Sequence, residues 1–131
     1  MAVLDAAVPI VTWVRWPWNL AGLVSLAFGG ALVWFSSSTF TRFRTSIEPF
    51  QPPTHLVTVG PYRLSRNPMY LGATLMLIGI AVSLGSITPF LVPPLYMVVI
   101  EQRIIRPEEV AMLNRFGKDY ERYRASVRRW L

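Results

Sequence analysis

The sequence predicts an all-α, polytopic membrane protein, and three observations predict it. Hydrophobic residues make up 53% of the 131 and charged ones only 15%, more apolar material than a soluble domain of this length needs. Long uncharged runs alternate with polar segments rich in arginine and proline. The basic residues cluster beside the apolar runs, as they do in cytoplasmic loops. The expected architecture is one domain over residues 1–131. It has three transmembrane helices, a short apolar helix before them and amphipathic helices after them.

Residues 1–19 form the first element. The stretch 3–14 is apolar but short, interrupted by Asp5 and Pro9 and closed by Arg15, Trp16 and Pro17, which predicts an interfacial or incomplete helix. It lacks the basic flank and small-residue cleavage site of a removable signal peptide. Residues 20–35, LAGLVSLAFGGALVWF, carry no charge, with Trp16, Trp18 and Trp34 near the ends where amphipathic rings favour the headgroup level. This is the first span, and Gly22, Gly29 and Gly30 predict a neighbouring helix against their face. The same glycines permit a homodimer.

Residues 36–68 read as a cytoplasmic connector with Pro49, Pro52, Pro53, Gly60, Pro61 and Pro68. Arg42, Arg44, Arg63 and Arg66 face the single acid Glu48 there. A helical hairpin follows over 69–100, its two spans at 69–84 and 89–100 joined by the uncharged turn at 85–88. Both spans are shorter than the roughly 20 residues a perpendicular helix needs. Pro93 and Pro94 predict a kink in the second. Residues 101–131 read as a cytoplasmic amphipathic segment of one or two helices broken at Gly117. Val110, Leu113 and Phe116, then Tyr120, Tyr123 and Val127, recur at three- and four-residue steps. Eight of the thirteen basic residues lie from Arg103 onward and four more lie in the connector. Both segments are therefore expected on the same side of the bilayer, with two spans between them.

Composition also excludes function classes. With no cysteine, disulfides, thiolate metal sites and cysteine nucleophiles are ruled out, and His55 alone cannot build a metal cluster. The net charge of +6 is distributed along membrane edges, so anionic lipid is the expected counter-charge rather than nucleic acid.

Two constellations keep polar residues at the membrane edge, where they are costly. In GPYRLSRNPMYLG, residues 60–72, Gly60-Pro61 is a turn and Asn67 precedes Pro68, which suits the first turn of a helix. Arg63 and Arg66 stand just before that start, where free N–H groups and the positive dipole end suit an anion. Interfacial anchoring explains the same arginines. In EQRIIRPEEVAMLNRFGKDYERY, residues 101–123, Glu108 and Glu109 project about 100° apart on a helix. At most one of them is then expected to face an interior while the other meets solvent. Pro107 suits the start of a new helix, whose dipole favours glutamate. Tyr120 and Tyr123 read as packing residues, and Arg128-Arg129-Trp130 as a membrane-surface anchor.

These motifs carry a resemblance. LVTVGPYRLSRNPMYLG, at 56–72, is similar to the Gly-Pro-Tyr-Arg turn and Arg-His/Asn-Pro-x-Tyr-x-Gly pattern of the isoprenylcysteine carboxyl methyltransferase and phospholipid methyltransferase family. EEVAMLNRFGKDYERYRASVRRWL, at 108–131, resembles its C-terminal signature of Glu-Glu, Phe-Gly-x-x-Tyr-x-x-Tyr and Val-x-Arg. The resemblance covers residues 20–131.

It implies an integral membrane methyltransferase that uses S-adenosylmethionine, with its cofactor site facing the cytoplasm. The acceptor is then lipophilic: an isoprenylcysteine-like carboxylate, a phospholipid amine or another lipid-like molecule. By position, Gly60, Tyr62, Arg66, Asn67, Pro68, Tyr70 and Gly72 belong to the cofactor pocket, with Glu109 and Tyr120 closing it. Glu108, Arg103 and Arg106 are the expected catalytic residues: an arginine orients a carboxylate acceptor, or a glutamate takes the proton of an amine. Asn67 stands where many members carry histidine. Two other classes predict similar spans: a nonenzymatic membrane scaffold, which assigns no role to Asn67, Tyr70 or Glu108, and a nicotinamide-dependent reductase of the sterol-reductase type.

Overall fold

The computed structural model describes residues 14–43 and 55–131. Residues 3–13 of the predicted short N-terminal helix, and the connector positions Arg44, Glu48, Pro49, Pro52 and Pro53, lie outside the described residues. The helices are α1 (Ala21–Arg42), α2 (Pro68–Leu84), α3 (Val92–Ile100), α4 (Arg106–Phe116) and α5 (Lys118–Ser126). Short 3-10 turns stand at Trp18–Leu20, Gly60–Arg63 and Thr88–Leu91, and a π turn at Glu101–Ile105. The fold is all-α, as expected. By length and composition, Trp18–Arg42 is long and apolar enough to cross a membrane, while α2 is apolar but shorter.

α1 runs past the predicted end at residue 35, because the hydroxyls that made 36–42 look like a connector are satisfied within the helix. Ser36, Ser38, Thr39 and Thr41 each donate to the carbonyl four residues back, at 2.6, 2.8, 2.8 and 3.0 Å. Twenty-two residues give a helix of about 33 Å.

α1 and α2 pack antiparallel through paired glycines. A Cβ on Gly29 would stand 2.5 Å from the Gly72 carbonyl oxygen, and one on Gly79 would stand 2.6 Å from that of Gly22. Contact this close between backbones is available only without side chains, and dispersion across it holds the two helices together. The Ser25 hydroxyl adds a bond of 2.8 Å to the Leu75 carbonyl. The neighbour expected on the glycine face is thus α2, for Gly22 and Gly29. Gly30 looks outward, with nothing within 4 Å.

The α2–α3 turn receives a hydrogen bond from the Val14 N–H to the Gly85 carbonyl, 3.0 Å, so the N-terminal segment ends at this pole of the molecule. Pro93 and Pro94 lie in the first turn of α3, where a missing N–H leaves no gap, so they do not interrupt that helix. From there one helical rod runs over residues 92–116. It is not broken at Pro107, as the sequence suggested. Instead the Arg106 N–H bonds the carbonyl of Glu101, five residues back. Pro107 has no N–H for the carbonyl one turn behind it, and a widened π turn absorbs the defect. Gly117 then reverses the chain at φ 55°, ψ −122°, a conformation that L side chains rarely adopt, and α5 folds back on α4.

Large apolar side chains are exposed along two helices: Leu23, Val24, Phe28, Trp34 and Phe35 on α1, and Leu95, Val98 and Val99 on α3. The compact core sits at the other pole, where Val57, Tyr62, Tyr120 and Tyr123 are buried and Phe40 at the tip of α1 stacks on Tyr62 at 4.9 Å.

Candidate active site

At that pole the end of the connector, the start of α2, the π turn, α4, α5 and the last residues of the chain meet. Glu109 is at the centre. Arg129 grips it with two donors, Nε to Oε1 at 2.9 Å and Nη2 to Oε2 at 2.8 Å, while Arg66 Nη1 approaches Oε1 at 3.1 Å. The side chains of Arg66 and Glu109 are only 10% and 14% exposed, so this pair is held out of solvent. Arg129 Nη1 also donates to Glu101 Oε1 at 2.8 Å, and the Trp130 indole donates to Glu101 Oε2 at 3.1 Å. The Trp130 bond and the nearby guanidiniums hold the Glu101 carboxyl below its ordinary value.

Glu108 is placed differently. Its hydrogen-bond partner is the Tyr70 hydroxyl, which donates to Oε1 at 3.3 Å, and no cation pairs with it among the described residues. Burial raises its pKa, and the Tyr70 bond opposes that in part. Tyr62, within electrostatic reach of Glu108, is 4% exposed, and burial pushes its phenol strongly upward. Its hydroxyl oxygen and Arg66 Nε are buried and carry no hydrogen bond among the described residues. Unpaired polar atoms of this kind are uncommon in folded interiors and call for an explanation.

The surrounding shell is well bonded. Tyr123 donates to the Tyr62 carbonyl at 2.7 Å, and Arg66 Nη1 donates to the Tyr120 hydroxyl at 3.3 Å. Burial raises the pKa of both Tyr120 and Tyr123. The last residues are fastened to the start of α2: the Arg129 carbonyl accepts from Asn67 Nδ2 at 3.0 Å and Ser65 Oγ at 3.2 Å, and the Arg128 carbonyl accepts from the Arg66 N–H at 3.0 Å.

Of the residues singled out in the sequence, Tyr62, Arg66, Asn67, Tyr70, Glu108, Glu109 and Tyr120 come together here. Pro68 is buried at the first turn of α2. Gly60 opens the 3-10 turn at φ 62°, and Gly72 is spent on packing against Gly29. Arg106 is mostly exposed and pairs with Glu101 at 3.4 Å, and Arg103 is exposed with no ion pair among the described residues. Neither arginine forms an ion pair with Glu108.

Three readings are corrected. Both adjacent glutamates are engaged, because the chain end folds back to cover the second face. The dipole of a fresh helix start does not account for them, since the rod is continuous. Arg129 and Trp130 are tied to carboxylates rather than serving as a plain surface anchor. Sequence reasoning missed Glu101, Ser65 and Arg129 as members of the cluster, although Arg129 is the arginine of the Val-x-Arg signature.

The family model described as phospholipid methyltransferase matches residues 18–119. The chain belongs to the phospholipid methyltransferase family, and so to a class of methyltransferases that act on lipid-type substrates and associate with membranes. It is also similar to a protein of Haemophilus influenzae described only as uncharacterized, at 38% identity over 63 residues, which is 48% of this chain and all of that protein. No solved structure matches the chain.

Proposed function

We propose that this protein is an S-adenosylmethionine-dependent methyltransferase whose acceptor is the amine of a lipid headgroup, acting where the helices leave the bilayer on the cytoplasmic side. The observation that carries this reading is the pairing of buried unsatisfied donors with an unneutralised acid: among the described residues Tyr62 Oη and Arg66 Nε have no hydrogen-bond partner, and Glu108 has only Tyr70. That set fits the cofactor, whose methionine moiety offers a carboxylate to Arg66 and an ammonium or sulfonium charge to a glutamate. When bound, the cofactor supplies an electrophilic methyl group on a sulfonium sulfur. Tyr62, Arg66, Asn67 and Tyr70 are its proposed holders, with Tyr120 and Glu109 closing the site.

The protein's own task is then alignment and exclusion of water, for which buried, cross-bonded side chains are suited. Glu108, held by Tyr70 and shifted toward neutrality, is able to take the proton that an ammonium acceptor loses before its nitrogen can be methylated. An amine is favoured over a carboxylate because Arg103 and Arg106, the residues expected to orient a carboxylate, stand exposed and form no ion pair with Glu108 among the described residues. The polytopic reading is supported by the shared pole of the α1 tip, the α2 start and the end of α3, and by the basic residues concentrated there. It makes the chain a single membrane domain with α1, α2 and α3 as spans.

Calorimetric titration of purified protein in lipid-supplemented detergent with S-adenosylmethionine and its demethylated product is the test. Saturable binding weakened by Tyr62→Phe and Glu108→Ala is expected, followed by methyl transfer to amine lipids and not to isoprenylcysteine carboxylates. Absence of binding by a folded, monodisperse sample rejects the reading in favour of a scaffold. Binding of a reduced nicotinamide cofactor in its place favours a reductase.

A further inference from the structure

The rod carries three carboxylates, Glu101, Glu108 and Glu109, and their roles are divided by backbone geometry. In a regular α-helix residues seven apart stack two turns above one another, which would align Glu101 with Glu108 and leave Glu109 about 100° away. The π turn at Glu101–Ile105 accommodates one extra residue in the turn. The aligned pair therefore becomes Glu101 and Glu109, eight apart, and a single guanidinium spans them: Arg129 reaches Glu101 at 2.8 Å and Glu109 at 2.8 and 2.9 Å. Glu108 is turned away toward Tyr70 of α2.

Charge follows the same division. Arg66, Arg106 and Arg129 all pair with Glu101 or Glu109, and none pairs with Glu108. Arg129 is itself held by side chains of the segment before α2, its backbone carbonyl accepting from Asn67 Nδ2 and Ser65 Oγ. It thereby ties the element bearing Tyr70 to the element bearing Glu108.

We propose that Arg129 is a positioning residue: by clamping Glu101 and Glu109 in the π-turn register and tying the rod to the start of α2, it sets the alignment and charge state of Glu108, which is left as the one carboxylate of the cluster free to accept a proton. The catalytic part of this inference rests on the proposed methyltransferase reading; the effect on Glu108 does not. The groups facing Glu108 are Tyr70 from α2 and Tyr62 from the 3-10 turn, with Glu109 beside it and Arg66 and Arg129 beyond that carboxylate. Removing the guanidinium takes away a cation and partly frees an anion, and both changes favour the protonated form of Glu108.

The experiment is a pH titration of the Glu108 carboxyl by infrared difference spectroscopy, assigned by subtracting Glu108→Gln, in the full chain and in Arg129→Gln. The titration is expected to move upward by about one pH unit in Arg129→Gln. In turnover assays kcat is expected to fall on the order of 100-fold, with KM for the acceptor nearly unchanged and the acid limb of the rate profile moved the same way. Should Arg129→Gln fail to fold, Arg129→Lys carries the test: its point charge keeps the cation but cannot span both carboxylates as the fork does, so one anion is freed and the titration moves upward by less. A Glu108 titration that stays in place in the folded variant overturns the proposal. A chain that binds no S-adenosylmethionine yet shows the infrared shift rejects the methyltransferase reading and keeps the positioning role.

Discussion

The Tyr70 hydroxyl donates to Glu108 Oε1 across 3.3 Å, joining the first turn of α2 to the rod beyond its apolar stretch at Val92–Ile100. Burial raises the Glu108 pKa and this bond lowers it, so its removal must raise the value further. If Glu108 is the base, activity is lost as pH falls through its pKa. Tyr70→Phe is therefore expected to shift the acid limb of kcat/KM to higher pH and to lower the rate at neutral pH by about tenfold or more. A pH–rate profile of the two proteins checks this; an unmoved limb removes Glu108 from that role.

The same raised pKa has a consequence for stability. The folded state holds the Glu108 proton more tightly than the unfolded chain, so its contribution is present below the unfolded value and lost as pH rises through the folded one. Glu108→Gln keeps the neutral form at all pH. The melting temperature of the variant, relative to the natural chain, is expected to improve as pH rises above the ordinary carboxylate range. Glu101, lowered by the Trp130 bond and the nearby guanidiniums, has the opposite sign: its contribution is lost as pH falls. Trp130→Phe is expected to reduce that acid-side loss.

Neighbouring glycines on α1 should respond oppositely to the same change. Gly29→Ala puts a methyl 2.5 Å from the Gly72 carbonyl and 2.8 Å from the Met76 nitrogen, atoms of backbone that cannot give way, and should separate α1 from α2. Gly30→Ala meets nothing within 4 Å and should stabilise the helix by up to about 1 kcal/mol. Thermal unfolding in detergent of the two variants distinguishes them; equal effects would contradict the antiparallel glycine pairing.

Asn67→Ala removes the donor to the Arg129 carbonyl while leaving Ser65 in place. A cost of about 1 kcal/mol is expected, concentrated at the chain end. Hydrogen exchange should report it as faster exchange of the amides at 127–131, with α1 unchanged.

How much of this was legible follows the range of each interaction. The helices were readable because apolar runs and turn residues are local signals, and the Gly117 break appeared at its predicted position. The end of α1 was misread because serine and threonine hydroxyls look polar in a sequence, while in the helix each is satisfied by its own backbone. The cluster was half legible. Arg66, Asn67, Tyr70 and Glu108 stand in two recognisable motifs, but the tie between Arg129 and Glu101 spans 28 residues and depends on a π turn. Pro107 marks that turn only for a reader who already knows that the rod continues through it.

α1 is unbroken from Ala21 to Arg42, its side chains outward over most of its length and Phe40 stacked on Tyr62 at its tip. A spanning helix tilts when the bilayer thins or thickens, and here no loop intervenes between the tilting rod and the phenol at the site. In the proposed spanning arrangement the geometry around Tyr62 is thus mechanically connected to the lipid itself, and membranes of different thickness should present the same protein with differently set aromatic stacks.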